Sequence, residues 1–286
     1  MIARPWREAL RRHWRALLMV SIWGAAIAGL ARPDNADPAD APLAASEAGL
    51  RGQFPPDKHG DLVYQGYRLF TATPVYGRRF SGNGLSCANC HLDAGRKADA
   101  APLGAAWGMY PAYSAKFDKV VSFAERVQQC FQFSLNGLPP PLDSRELNAL
   151  LAYSQWLARG QPAGEAQPGR GFPTLARTGD DPNPWRGRAA YAQKCASCHG
   201  GQGQGQPAAG AAGPPYAVPP LWGWDSYNKG AGLHRVDLMA GFLKANMPLG
   251  RPDLSDQQAL DLAAWIQLQE RWPDPRKGWV DRWLAR

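Results

Sequence analysis

The chain has 286 residues, 45% of them hydrophobic, and a formal net charge of +8. Half of that charge lies in residues 1–31, which hold five arginines and one glutamate, so the rest of the chain carries +4. A charge this small gives no support for nucleic-acid binding, and the length suffices for two small domains.

The N-terminus has the composition of an export signal. A basic stretch precedes an apolar run over residues 16–30, and Ala26-Ile27-Ala28 is a candidate cleavage site. A membrane span needs about 18 apolar residues or more, so the shorter run favours cleavage, with a retained anchor as the alternative. We predict an export signal or anchor over residues 1–31 and a Pro-, Ala- and Asp-rich tether over residues 32–48.

Two copies of the pattern C-x-x-C-H follow. They are Cys87-Ala-Asn-Cys90-His91 and Cys195-Ala-Ser-Cys198-His199. In this pattern two thiols bond the haem vinyl groups and the histidine binds iron, so we predict two covalently bound haem c groups. No further C-x-x-C pair is available to complete a zinc site. Because haem c is attached outside the cytoplasm, we expect a periplasmic protein, free or anchored to the inner membrane through its N-terminus.

The sequence repeats one plan on either side of a Gly- and Pro-rich stretch. Each half has an opening helix, the haem motif, a loop region and a closing amphipathic helix. This plan predicts a mainly α protein with tandem class I cytochrome c domains over 49–160 and 184–286, joined by a linker over 161–183. The first domain has an insertion over 71–86, between its opening helix and its haem motif.

Capping signals predict where these helices begin. The opening helices are expected over 61–71 and 184–194, the second with Asn183 as N-cap. The closing helices are expected to follow two capping boxes, Asp143-x-x-Glu146 and Ser255-x-x-Gln258.

The second haem has a candidate for its other axial ligand in Asn246-Met247-Pro248, shortly before the closing helix. A methionine in that position resembles the ligand loop of ordinary cytochromes c, and a thioether ligand raises the reduction potential. The alternatives are a core methionine at this position, or Met239, Lys229 or Lys244 as the ligand.

The corresponding part of the first half has no such methionine and holds Cys130, with Met109 as the rival ligand. The capping box Ser122-x-x-Glu125 and the pair Asn136-Gly137 predict a helix around it. On that helix Arg126, Cys130 and Ser134 recur at i, i+4 and i+8 and therefore share one face.

A cation, a thiol and a hydroxyl on one stripe are not typical of a plain core face and indicate a functional site. The alternative is a free cysteine in a core helix, between apolar neighbours. An unpaired thiol in an oxidising compartment is a liability unless something occupies it, and ligation by iron would keep the sulfur deprotonated. We therefore predict Cys130 as the second axial ligand of the first haem.

Several stretches resemble the dihaem thiosulfate dehydrogenases and, more distantly, the cysteine-ligated cytochrome subunit of the Sox thiosulfate-oxidising system. They are SGNGLSCANCHLDAG, YPAYSAKFDKVVSFAERVQQCFQFSLNG and FLKANMPLG, and the likeness runs from about residue 66 to residue 269. Its most specific part is the run from Arg126 to Gly137. Phe133 departs from it, because the family usually has a basic residue just before the serine.

The resemblance implies that Cys130 ligates the first haem at the active site and that Met247 ligates the second. It also implies a reaction in which two thiosulfates become tetrathionate and two electrons leave, one to each haem. Two dianions must be brought together, which requires fixed cations, and Arg126 and Lys116 are the candidates, with Ser134 as a further donor. We hypothesise a covalent sulfur adduct at Cys130.

The expected partner is a redox protein such as another cytochrome c or a terminal oxidase. Two other functions remain open. One is a membrane-tethered electron carrier without substrate chemistry, which would need neither Arg126 nor Cys130. The other is the reverse reaction, tetrathionate reduction, since the direction depends on potentials and on the acceptor.

Overall fold

The first half of the chain forms a set of helices and one short hairpin. The computed structural model describes residues 49–176, 180–209 and 215–277, so the predicted export segment 1–31 and tether 32–48 lie outside the described residues. The elements are α1 Lys58–Thr71, α2 Thr73–Tyr76, a 3₁₀ turn Cys87–Asn89, α3 Leu92–Gly95, α4 Leu103–Trp107, the antiparallel strands β1 Ala112–Ser114 and β2 Lys119–Val121, α5 Phe123–Phe133 and α6 Arg145–Leu157.

The second half repeats the plan with fewer insertions. Its elements are α7 Pro184–Lys194, α8 Ala196–His199, the antiparallel strands β3 Gln206–Pro207 and β4 Tyr216–Val218, a 3₁₀ turn Gly232–His234, α9 Val236–Asn246 and α10 Asp256–Leu268. The prediction of a mainly α fold with two cytochrome c domains is confirmed. Within the three described ranges, no helix is both long enough and apolar enough to cross a bilayer.

The helix starts follow the predicted signals, with two exceptions. Asn183 and the box Ser255-x-x-Gln258 cap their helices as predicted, whereas α1 begins three residues earlier, after Asp57. The predicted box at Asp143 is wrong: Ser144 is the N-cap of α6, and its hydroxyl accepts the Leu147 amide at 3.3 Å. Glu146 does not reach back to the cap, because its carboxylate pairs with Arg79 at 2.8 Å.

A glycine lets the opening and closing helices cross closely in each half. A Cβ added at Gly66 of α1 would lie 2.0 Å from the Ala149 carbonyl oxygen of α6. A Cβ at Gly187 of α7 would lie 1.9 Å from the Asp261 carbonyl oxygen of α10. Because neither backbone can retreat without opening the helix pair, the same contact defines the fold in both halves.

We expect Gly66→Ala to lower the free energy of unfolding by about 3 kcal/mol, the upper end of ordinary overpacking effects. The measurement is guanidinium unfolding of the holoprotein followed by helical circular dichroism. Gly49→Ala is the control, since a Cβ there meets no atom within 4 Å. A Gly66→Ala protein as stable as the control would contradict this account of the helix crossing.

The described part of the predicted linker contacts both halves. Its Gly169 and Gly171 carbonyls each accept an amide of the first half at 2.7 Å, from Asp99 and Ala101 respectively. Phe172 then packs edge-to-face on Phe242 of α9, with ring centroids 5.6 Å apart. The linker therefore helps to join the halves.

Side-chain amides also join the two halves at the C-terminus of α5. The last carbonyls of a helix lack intrahelical partners, and here donors from elsewhere supply them. Asn228, from the second half, donates through its backbone amide to Phe133 at 3.1 Å and through its side chain to Gln132 at 2.9 Å. Asn83, in the insertion, donates to the Ser134 carbonyl at 3.0 Å. The helix that carries the candidate site is thus held by both halves.

Candidate active site

A cavity of about 270 Å³ lies beside the first haem motif and has a mostly apolar wall. Three separate stretches of chain build it: the first half, the linker and the second half. The lining residues of the first half include Phe70, Cys87, Cys90, His91, Tyr110, Arg126, Cys130, Ser134 and Leu150; the linker contributes Arg170, Gly171 and Phe172; the second half contributes Tyr227, Ala231, Gly232 and Leu233.

His91 is oriented by a backbone carbonyl. Its Nδ1 lies 2.7 Å from the Ala101 carbonyl oxygen, so Nδ1 carries the proton and Nε2 keeps its lone pair. Burial lowers the pKa of His91, which favours the neutral ring that a metal requires. Phe70 packs against the imidazole with centroids 6.0 Å apart.

The two motif cysteines face the same cavity. Burial raises the pKa of Cys87 and of Cys90 to about 12, so both sulfurs are thiols before any reaction. A covalently bound haem requires two thiols, an imidazole with a free nitrogen and an apolar surrounding, and this cavity offers all of them. The residues of this cavity therefore fit the group.

Helix α5 presents the predicted stripe to this cavity. The Ser122 and Glu125 capping box starts the helix as predicted, but the helix ends at Phe133, ahead of the predicted Asn136-Gly137 stop. Asn136 adopts a positive φ of 51°, two residues after the Ser134 C-cap. The chain therefore turns at Asn136, shortly after the helix has ended.

Arg126, Cys130 and Ser134 all line the cavity with His91. The Cys130 sulfur beside it, as the largest effect, raises the pKa of Arg126, and the Tyr110 hydroxyl adds to this. The guanidinium and the sulfur are thus close enough to interact electrostatically. No carboxylate is among the described residues of the cavity wall, so Arg126 and Arg170 make it cationic.

Lys116 does not lie on the described cavity wall. Its ammonium donates to the Gly230 carbonyl and sits 3.2 Å from the centroid of the Phe133 ring. Burial, with Arg276 and Arg126 nearby, lowers the pKa of Lys116 to about 8. Lys116 therefore places a positive charge against the ring of Phe133. Phe133 is the position at which the resembling family usually has a basic side chain.

Met109, the rival ligand, is not among the described residues that line the cavity, whereas its neighbour Tyr110 is. Tyr110, the linker residues and the residues of the second half are not predicted from the sequence. No motif or period marks them, because they reach the cavity through contacts between distant parts of the chain.

The second haem motif repeats the histidine geometry of the first. His199 Nδ1 lies 2.9 Å from the Pro219 carbonyl oxygen, which leaves Nε2 for a metal. Burial lowers the pKa of His199 and raises that of Cys195 to about 11. Cys198 is exposed, so one edge of this site faces solvent.

Met247 is the C-cap of α9 and packs, partly buried, against the core. The alternative ligands differ in their surroundings. Met239 is 4% exposed inside the core, and Lys244 donates to the Leu254 carbonyl at 2.7 Å and pairs with Asp256. Met239 and Lys244 are therefore held by other contacts, which favours Met247 as the ligand.

Two known domain families match this chain, and each match contains one of the two haem motifs. Residues 72–163 match the profile of the SoxA/TsdA cytochrome c domain, and residues 185–269 match that of cytochrome c. A thiosulfate dehydrogenase of Stutzerimonas stutzeri is 50% identical over 224 residues, which are 78% of this chain and 72% of that protein. A thiosulfate dehydrogenase of Thiomonas intermedia is 46% identical, over 78% of this chain and 70% of that protein.

A solved structure is also similar, that of the thiosulfate dehydrogenase TsdBA from Marichromatium purpuratum. It superposes with a TM-score of 0.76 at 44% sequence identity and covers 82% of this chain. The match covers 52% of that protein, so this chain spans about half the length of the TsdBA chain.

Proposed function

Because this chain belongs to the thiosulfate dehydrogenase family, as a c-type cytochrome oxidoreductase with two covalently bound haem c groups, we propose that it oxidises thiosulfate to tetrathionate at the cavity of Cys130. One observation carries the proposal: a guanidinium and a free sulfur share a cationic cavity with a haem motif. A protein that only carried electrons would need neither group.

The axial ligand pairs are part of this proposal. His91 and Cys130 would hold the first iron, and His199 and Met247 the second. The shared cavity of His91 and Cys130 supports the first pair. The position of Met247 at the end of α9, with Met239 and Lys244 otherwise engaged, supports the second. The bound haems supply the chemistry of accepting electrons, one each.

The cationic wall suits the substrate. Thiosulfate is a dianion, and Arg126 can bind two oxygens of its sulfonate end side by side, with Ser134 donating one more hydrogen bond. Both groups lie on the face of α5 that carries Cys130, so an anion held there presents its terminal sulfur to the cysteine. Tyr110 keeps the Arg126 guanidinium oriented.

Two steps at Cys130 would convert two thiosulfates to tetrathionate. In the first, the terminal sulfur of thiosulfate bonds to the cysteine sulfur, giving Cys–S–S–SO₃⁻ from the thiolate and the dianion with loss of two electrons. In the second, another thiosulfate attacks the outer sulfur of that adduct, the bond to Cys130 breaks, and tetrathionate leaves with the thiolate restored. No proton is consumed or released.

If the predicted export segment acts as such, this reaction would take place in the periplasm, with or without an inner-membrane anchor, and another cytochrome c or a terminal oxidase would take the electrons. The exposed edge at Cys198 offers a route out of the second site. Tetrathionate reduction would use the same two steps in reverse.

The direct test uses the purified dihaem protein without oxygen. We expect thiosulfate alone to reduce the haems, with one tetrathionate formed per two thiosulfates consumed. Sulfate, a dianion that cannot form the sulfur bond, is the control and should reduce nothing. Haems that dithionite reduces and thiosulfate does not would overturn the proposed activity.

We expect Met247→Ala to lower the reduction potential of one haem only, because loss of a thioether ligand removes the preference for ferrous iron. The measurement is a spectropotentiometric titration of both haems. Met239→Leu is the control, since Met239 is buried in the core on the same helix. Potentials that stay unchanged in Met247→Ala would mean that another residue ligates the second iron.

A further inference from the structure

Asn246 is a buried amide that links the two halves of the chain. It is the last residue of α9 and is 0% exposed. Its Nδ2 donates to the Phe242 carbonyl of its own helix and to the Asp99 carbonyl of the first half, both at 3.0 Å. Its Oδ1 is buried without a hydrogen-bond partner among the described residues. The side chain therefore contributes through the two bonds that it donates, and one of them reaches the loop that follows the first haem motif.

The loop that receives this bond is the one that orients His91. Two residues after Asp99, the Ala101 carbonyl oxygen lies 2.7 Å from His91 Nδ1. Ala100, between Asp99 and Ala101, is 0% exposed, so the loop is packed against the core at this point. A displacement of Asp99 would therefore move the Ala101 carbonyl and weaken the hydrogen bond that holds the imidazole.

The backbone of this loop needs support from outside. Asp99 and Ala101 have φ angles of 61° and 50°, in the left-handed region that is unfavourable for residues with a Cβ. Such residues keep this conformation only where their surroundings hold them in it. The amides of both residues donate to linker carbonyls at 2.7 Å. Asn246 holds the Asp99 carbonyl and is the support that the second half provides.

We propose that Asn246 is a positioning residue for the histidine of the first haem motif, although it lies in the other half of the chain. It holds the Asp99 carbonyl, and the loop in turn holds the Ala101 carbonyl against His91. A hydrogen bond donated by Nδ1–H makes the imidazole a more basic ligand, which favours ferric iron and lowers the reduction potential. The proposal rests on His91 as an iron ligand, as in the proposed function, and is independent of the substrate.

The same contact connects the two haem sites. Asn246 directly precedes Met247, the proposed ligand of the second iron, and the Met247 amide donates to the Leu243 carbonyl of α9 at 2.9 Å. A shift of this end of α9 would therefore be transmitted to the loop that holds His91. Because coupling between two sites is reciprocal, a change at His91 would also act on the loop of Met247.

The test is a potentiometric titration of the dihaem Asn246→Ser protein, with electron paramagnetic resonance of its oxidised form. Serine can still bond the carbonyl four residues earlier in the helix, but it is too short to reach Asp99. We expect the resonance signal of the first haem to shift. Reduction of that haem should become about tenfold more favourable, which corresponds to about 59 mV for one electron. The first haem is the one whose spectrum responds to Cys130→Ala, and the titration needs no thiosulfate.

Asn148→Ser is the matched control. It makes the same substitution at an exposed position of α6 and should change neither haem. A role of Asn246 confined to α9 would alter the second haem alone. A folded Asn246→Ser protein whose first haem keeps the signal and the potential of the wild type would therefore overturn the proposal.

Asp99→Gly covers the case in which Asn246→Ser does not fold. Glycine adopts the left-handed conformation without steric conflict, so the loop should keep its shape without the bond from Asn246. The double variant is then expected to fold and to show the first-haem potential of the Asp99→Gly single variant, which accounts for the lost charge. A double variant that does not fold, or whose first haem is still about tenfold easier to reduce than that of Asp99→Gly, would also overturn the proposal.

Discussion

Cys130→Ala is expected to slow thiosulfate oxidation by about a thousandfold or more, the scale on which removal of a covalent nucleophile acts. The variant loses both the proposed sulfur adduct and the proposed ligand of the first iron. It should still attach both haems, since the motif cysteines are untouched. Steady-state rates with an artificial electron acceptor measure the loss, and the optical spectrum reports the change of ligand.

Met109→Leu is the matched control for this experiment. Met109 is the other candidate ligand of the first half, but it is not among the described residues of the cavity wall. We expect its rate and spectrum to equal those of the wild type. Normal turnover in Cys130→Ala, or a changed first-haem spectrum in Met109→Leu, would refute the role of Cys130.

Arg126→Met is expected to lower kcat/KM for thiosulfate by about 10²–10³, the usual effect of removing a preorganised donor to a charged group. Two dianions must approach each other at the first site, and the described residues of the cavity wall include no carboxylate that would neutralise Arg126. The loss should appear largely in KM if the cation binds the first thiosulfate, and in kcat if it acts when the two meet. Arg126→Lys should lie between, because an ammonium keeps the charge without the bidentate contact.

Arg78→Met tests whether charge alone explains the effect. Arg78 is exposed in the insertion of the same half and does not line the cavity. Removing it changes the net charge equally, so its kinetics should match the wild type at ordinary salt concentrations. Equal losses in Arg78→Met and Arg126→Met would point to long-range steering and away from a binding role for Arg126.

The haem motifs, most helix starts and the stripe on α5 could be predicted from the sequence, because each depends on residues that are close together in the chain. The haem motifs need only five residues each, because the covalent chemistry and the proximal histidine are local to the pattern. The helix starts at Asn183, Ser122 and Ser255 follow from a side chain and an amide three residues apart or less. The stripe of Arg126, Cys130 and Ser134 follows from the helical period, and the structure places all three on one cavity.

Where distant groups compete with a local signal, only the folded chain decides the outcome. The capping box predicted at Asp143 does not form: Glu146 pairs with Arg79, 67 residues away in sequence, and Ser144 is the N-cap. Lys116 is expected beside the substrate, but its ammonium contacts Phe133 and Gly230, and it is not among the described residues that line the cavity. Such outcomes depend on which distant groups compete for the same side chain.

The sequence by itself determined the covalent haem attachment, the tandem plan and the face of α5 that carries Cys130, because each follows from the order and spacing of residues along one motif, one helix or one half of the chain. Only the tertiary structure decided that the linker and Tyr227 line the first cavity. Contacts of this kind join distant residues, as between Asn83 and Ser226, which are 143 positions apart, and no periodic pattern records a contact at that range.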